Sequence, residues 1–235
     1  MTDSPLPQII LVPQGAEYQA VCRGLSRVQP VKPLVLPIPV GSKPVTEYLE
    51  RWQETEAFVK AKPKSILVMG LGGSLSSQLA VGDVALYHEC LYQSSSTTPV
   101  WRSFDGELTR LLQDKLKSGV SLVKGFTSDR IICAADEKRH LGQLYDTQVV
   151  DMEGFAALQV LSQVGVAVAM LRVISDDSRH NLPNLTCALN PEGALQPLPL
   201  AIAMIRQPIA ATRLIRGAIQ GLRVLQNVTM RLFSQ

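Results

Sequence analysis

The 235-residue sequence predicts an α/β fold, with helices packed on a central, largely parallel or mixed sheet. Three observations predict it. Short apolar runs alternate with amphipathic stretches along the chain. Several of those runs end in glycines or acidic residues, as strands do at the ligand-binding carboxyl edge of an open sheet. The composition, 46 % apolar and 18 % charged, is that of an ordinary folded protein with a buried core.

Taken in order, Ile9–Val12 is an apolar run that stops at Pro13 and reads as a buried strand. A helix is predicted over about Ala16–Val28. Leu34–Val40 is extended, but Pro37 and Pro39 cannot donate to a ladder, which places it at an edge or in a loop. Val45–Lys60 is predicted as one helix, and Ser65–Met69 as a strand entering a glycine-rich turn, Gly70-Leu71-Gly72-Gly73. Further strands are expected at Val84–Tyr87, Val120–Val123, Ile131–Ala134, Val149–Met152 and Val166–Ile174. Helices are expected at Asp105–Lys117, Glu137–Leu144 and Glu153–Val164. In Ile209–Phe233, Leu214, Ile215, Ala218, Ile219, Leu222, Leu225, Leu232 and Phe233 form an apolar stripe opposite Arg213, Arg216 and Arg223. The stripe reads as a core-packing face, with a basic membrane-surface helix as the alternative. Gln93–Thr98 is a polar loop, and Asn181–Pro199 a long surface loop or lid.

Composition also excludes several classes. A net charge of +3 is too weak for a dedicated nucleic-acid binder. Cys22, Cys90, Cys133 and Cys187 form no CxxC pair, which argues against a zinc site or a disulfide framework and fits a reducing cytosol. MTDSPLPQII has no basic start followed by a long apolar run, so no signal peptide is expected. Ser65–Gly82 and Phe155–Leu171 are the longest uncharged stretches, and both are interrupted by polar residues or glycine, so no membrane span is expected.

Four segments carry candidate chemistry. The glycine segment Gly70–Leu75 lets backbone N–H groups approach a ligand, yet it matches neither a phosphate-binding Gly-Lys-Ser/Thr loop nor GxGxxG, and a purely structural turn explains it equally. Asp151 and Glu153 sit where a strand runs out and a helix begins, where they also compensate a helix dipole. An apolar strand delivers Asp176 and Asp177 at its carboxyl end, where a partly desolvated acid can donate a proton or simply cap the next turn. Glu17 follows the first strand, again at a carboxyl end. His88, His140 and His180 show no metal-ligand spacing.

Together these segments resemble the nucleoside phosphorylase superfamily, and most of all its 5′-methylthioadenosine/S-adenosylhomocysteine nucleosidase branch. The resemblance runs from Ile9 to about Ser178. Its most specific parts are VVDMEGFA (149–156) and LRVISD (171–176), supported by MGLGGSL (69–75) with VGD (81–83), and more weakly by Phe104-Asp105 and Ser128-Asp129. It implies a single three-layer α/β/α domain, residues 1–235, around a central mixed sheet. It further implies a homodimer or higher oligomer, expected to be cytoplasmic from its cysteine usage, that cleaves the N-glycosidic bond of a small-molecule purine nucleoside. No cofactor, metal, nucleic acid or membrane is implied.

Carried over residue by residue, the resemblance makes Asp176 the acid that protonates the departing base, with Ser175 supporting it. Glu153 holds the ribose hydroxyls and Met152 packs on the sugar. Glu17 becomes the base that activates water, Gly72 and Gly73 line the sugar and nucleophile site, and Ile131 and Ile132 hold the base. Such acids suit the reaction, because glycosidic cleavage passes through an oxocarbenium-like state with negative charge growing on the leaving group. A phosphorylase also needs cations for the incoming dianion. Val68 stands where hexameric relatives carry an arginine, and PQGAEYQAV contains none. Hydrolysis is therefore favoured. The alternatives are a phosphorylase using Arg23, Lys43 or a partner-chain cation, and a non-catalytic nucleoside-binding relative. Leu71, Phe155, Ile131 and Asp177-Ser178-Arg179-His180 depart from the family pattern, which bears on substrate identity rather than on fold.

Overall fold

The structure is a computed structural model that describes residues 6–28, 32–93, 98–117, 119–185 and 196–234. Among the described residues, eight strands and eight helices follow one another as β1 (Ile9–Pro13), α1 (Ala16–Ser26), β2 (Leu34–Ile38), α2 (Ser42–Gln53), α3 (Glu56–Ala61), β3 (Ser65–Ser74), β4 (Val84–Tyr92), β5 (Val100–Ser103), α4 (Gly106–Leu116), β6 (Val120–Thr127), α5 (Ala135–Tyr145), β7 (Val149–Asp151), α6 (Gly154–Gln163), β8 (Ala167–Asp176), α7 (Pro197–Arg206) and α8 (Pro208–Phe233).

The strands form one mixed sheet in the order β2-β1-β3-β7-β6-β4-β5, with β8 paired parallel to β3 and antiparallel to β4. Strands β3, β8, β4, β6 and β7 thereby close on one another, and β1–β2 and β5 extend the sheet at its margins. Alternation along each strand divides the core between two faces. Ile9, Leu11, Ile66, Val68, Val168 and Met170 point to the layer of α2 and α6, where Val45, Leu49, Leu158 and Leu161 cover them. Ile10, Val12, Leu67, Met69, Ala169 and Leu171 point to the layer of α1, α4 and α8. The result is the expected three-layer α/β/α arrangement. β2 is the edge strand that Pro37 demands, with Pro37 opposite Val12.

Four local expectations are corrected. Val45–Lys60 is two helices, because extended Thr55 caps the second by accepting from the Phe58 N–H at 3.3 Å. Ile131–Ala134 is irregular: β6 ends at Thr127, and Ser128 Oγ bonds the Arg130 carbonyl at 2.8 Å, turning the chain. Gly70–Gly73 is no turn but the continuation of β3, paired with β8 through Gly73. In α8 the buried face is Gly217, Gly221, Leu225, Val228, Leu232 and Phe233, whereas Ile215 and Ile219 are exposed. Strand β5 and helix α7 were not foreseen. Gln93–Thr98 and Asn181–Pro199 lie largely outside the described residues, as does Cys187.

Candidate functional site

The carboxyl ends of β1, β3, β7 and β8 converge on a cavity of about 170 Å³. Its lining includes Glu17, Gly72, Gly73, Ile131, Ile132, Met152, Glu153, Ser175 and Asp176, so all nine residues singled out from the sequence meet in one place. Val40 and Met152 also line an adjoining cavity of about 680 Å³, walled by Ser42, Lys43, Tyr92 and Phe155.

Each acidic pair divides its duties in the same way. Asp151 accepts from the backbone N–H of Glu153 at 2.9 Å and of Gly154 at 2.6 Å, and from Thr127 Oγ1 at 3.1 Å. It is consumed as the cap of α6, as helix-end electrostatics favours. Asp151 and Glu153 both line the cavity, and it is Glu153 whose carboxylate is not spent on its own helix end. Asp177 likewise accepts from the N–H groups of Arg179 and His180, both at 2.9 Å. Burial opposes its charge, but these bonds and the His180 ring hold its pKa below the ordinary value. Asp176, beside it, is left to face the cavity.

A bulge in the β3–β8 pairing aims Asp176. Gly72 pairs with Ile174 but Gly73 pairs with Asp176, so Ser175 is the extra residue. The Ser175 hydroxyl lies 2.9 Å from Asp176 Oδ2 and 3.3 Å from the Gly72 carbonyl oxygen. Gly73 is required here, because a Cβ on it would stand 2.9 Å from Asp176 Oδ1. On its other side Asp176 is ion-paired through Oδ1 with Lys138 of α5, a side chain that is 1 % exposed.

Arg172 is the charged centre of the site. It lies on β8 opposite Gly70 and Ala85, is wholly buried, and donates from Nη2 to Glu153 Oε2 at 2.7 Å, with Asp151 Oδ1 3.8 Å away. Burial works against its charge, but Glu153, Asp151, Tyr87 and Glu17 more than offset this and hold its pKa above the ordinary arginine range. Gly70 makes the arrangement possible. A Cβ there would collide with the Arg172 guanidinium and lie 2.8 Å from Glu17 Oε1.

The two cavity-facing glutamates are tuned by burial. Glu17 accepts from the Leu71 N–H at 2.5 Å, and burial raises its pKa to about 7 despite the opposing effects of Arg172 and that bond. Glu153 also accepts from the Gly41 N–H at 3.1 Å, and burial raises its pKa more than Arg172 lowers it. A carboxylate with a pKa near neutrality is suited to take and return a proton.

Arg172, Lys138, Asp151 and Gly41 carry weight in the site without having been assigned a part in it from the sequence. Arg172 does leave a signal, since one charge inside an otherwise apolar strand demands a buried partner. Lys138 leaves none, because its partner is brought to it from another element. Of the cations considered for phosphate, Arg23 and Lys43 do not line the cavity, and Lys43 lies 4.0 Å from Glu47 at the adjoining one.

The fold has solved counterparts. Futalosine hydrolase of Helicobacter pylori superposes with a TM-score of 0.65 at 15 % identity, covering 94 % of this chain and 95 % of that one. The 5′-methylthioadenosine/S-adenosylhomocysteine nucleosidase of the same organism, crystallised with a pyrrolidine-based ligand, gives 0.64 at 15 % identity over 94 % and 96 %. S-adenosylhomocysteine nucleosidase of Streptococcus pyogenes, in complex with 5-methylthiotubericidin, gives 0.65 at 16 % identity over 97 % and 98 %. These likenesses concern the fold. The sequence model described as "Phosphorylase superfamily" matches residues 51–186, more than half of the chain and the stretch that contains Arg172, Glu153 and Asp176. The chain belongs to the phosphorylase superfamily.

Proposed function

We propose that this protein is a purine nucleosidase that hydrolyses the N-glycosidic bond of 5′-methylthioadenosine/S-adenosylhomocysteine-like nucleosides and releases adenine. The observation that carries the reading is the convergence of Glu17, Glu153 and Asp176, from α1, the start of α6 and β8, on one small cavity. In this reading Asp176, steadied by Ser175 and ion-paired with Lys138, relays a proton from the Lys138 ammonium to the departing base. Glu153 holds the ribose hydroxyls and stabilises the cation that develops on the sugar. Glu17 takes a proton from water as it attacks. Met152 packs on the sugar, and Ile131 and Ile132 flank the base. The larger cavity beyond Val40 and Met152 supports a substrate with a bulky 5′ substituent.

Water is favoured over phosphate as nucleophile on electrostatic grounds. Arg172 is wholly buried and paired with Glu153, and Arg130, the arginine that lines the cavity, is ion-paired with Glu137, so an incoming dianion would meet the acids Glu17, Glu153 and Asp176 rather than a free guanidinium fork. The test is incubation with methylthioadenosine, S-adenosylhomocysteine and futalosine in phosphate-free buffer, scored by free base. Adenine release with a free reducing sugar, lost in Asp176→Asn, is the expected result. A strict phosphate requirement with formation of a sugar 1-phosphate would overturn hydrolysis. Tight binding without turnover would overturn catalysis.

A further inference from the structure

Helix α7, PLPLAIAMIR, contains a single polar residue, Arg206, and such a helix is normally buried. Here it packs on α8 and turns an apolar face outward. Leu198, Ile202 and Ile205, spaced to share one helix face, are 71 %, 43 % and 78 % exposed, and Ile209 continues the patch at 69 %. Helix α8 adds to it. Gly217 and Gly221 lie against Ser175 and Ile174 of β8, which rotates Ile215 and Ile219 out to solvent. Arg206, Arg213, Arg216 and Arg223 are exposed on the same helix pair, and residues 197–233 contain no aspartate or glutamate. The two helices are bent by 117° at Gln207, and no single helix among the described residues is long and apolar enough to cross a membrane.

We propose that the α7–α8 elbow is a docking surface for an anionic lipid bilayer. Leu198, Ile202, Ile205 and Ile209 would enter the boundary between headgroups and acyl chains, and the arginines would meet lipid phosphates. Charge decides between this occupant and a second copy of the chain. A two-fold pairing of the face on itself would set arginines against arginines, with no acid in either segment to separate them. The proposal departs from the sequence expectation that the α8 stripe is a core face and that no membrane is engaged. It is independent of the reaction assigned above, although Arg213, Leu214, Arg216 and Gln220 also line a cavity of about 260 Å³ that reaches Ser175 and Asp176.

The test is flotation of the full chain with phosphatidylcholine vesicles and with vesicles containing one-third phosphatidylglycerol. Binding to the anionic vesicles only, weakened by salt and reduced at least about tenfold in Ile202→Glu/Ile205→Glu, is expected. Arg213→Ser/Arg216→Ser should weaken binding without altering the circular dichroism spectrum. All of these side chains are exposed, so folding should survive. Failure to float with anionic vesicles overturns the proposal, as does flotation that the isoleucine variant leaves unchanged. Light scattering that shows a dimer which Ile202→Glu/Ile205→Glu converts to monomer also overturns it, by giving the face to self-association.

Discussion

Lys138 is almost wholly buried and pairs through Nζ with Asp176 Oδ1, while the same ammonium donates to the Asp177 carbonyl oxygen at 3.1 Å. The acid that faces the cavity is therefore held by a fixed cation from another element. Lys138→Met keeps most of the length of the side chain and removes its charge. It should lower turnover by about 10²-fold, within the range of one acid–base group, and cost about 2 kcal/mol of stability. In a double-mutant cycle with Asp176→Asn, urea unfolding should show a smaller combined loss than the sum of the two singles. Strict additivity would mean that the pair is not coupled.

Glu17 sets a pH dependence. Its pKa stands at about 7 against an ordinary 4.5, so the form able to accept a proton appears only as pH rises through 7. Turnover should climb between about pH 6 and 8 and then level off, and Glu17→Gln should lose about 10²–10⁴-fold. Stability runs the other way. Because the folded pKa is the higher one, the stabilisation from protonated Glu17 is complete below pH 4.5 and is lost as pH rises through 7. Glu17→Gln should therefore resist urea better than the parent at pH 8, by about 2 kcal/mol, with the gap closing toward pH 5. An unchanged gap across that range would remove Glu17 as the titrating group.

Arg172 neutralises a buried group of acids. Arg172→Met would leave Glu153 and Asp151 buried without their cation, a loss of about 3–5 kcal/mol. Urea unfolding at pH 7.5 should show it, and the deficit should shrink at lower pH, where the carboxylates can protonate. A deficit below about 1 kcal/mol would mean that solvent already screens these charges.

Gly70 is a space requirement rather than a hinge. Gly70→Ala drives a methyl group against the Arg172 guanidinium and Glu17 Oε1, and should cost about 1–3 kcal/mol together with most of the activity. Gly106→Ala, whose Cβ meets nothing within 4 Å, is the matched control and should behave as the parent does. Equal behaviour of the two variants in thermal unfolding and base release would refute the steric argument.

Apolar runs and punctuation in the chain were enough for the alternating strands and helices, the Pro37 edge and the acids at strand ends, because each rests on local rules: continuous apolar runs in buried strands, proline's missing donor, and turn or acidic residues where a strand stops. The same rules left each acidic pair ambiguous between capping and chemistry. Tertiary structure resolved both pairs by giving the backbone N–H groups to Asp151 and Asp177 and leaving Glu153 and Asp176, whose carboxylates are not spent in that way, at the cavity. Only the packed sheet could reveal that Gly70–Gly73 is strand, since its reason is the bulk of Arg172 and Asp176 on the neighbouring strand. The Lys138–Asp176 pair and the outward turn of Ile215 and Ile219 were likewise beyond local reading. Both depend on which elements meet in space, and a helix stripe does not say which of its edges the sheet will cover.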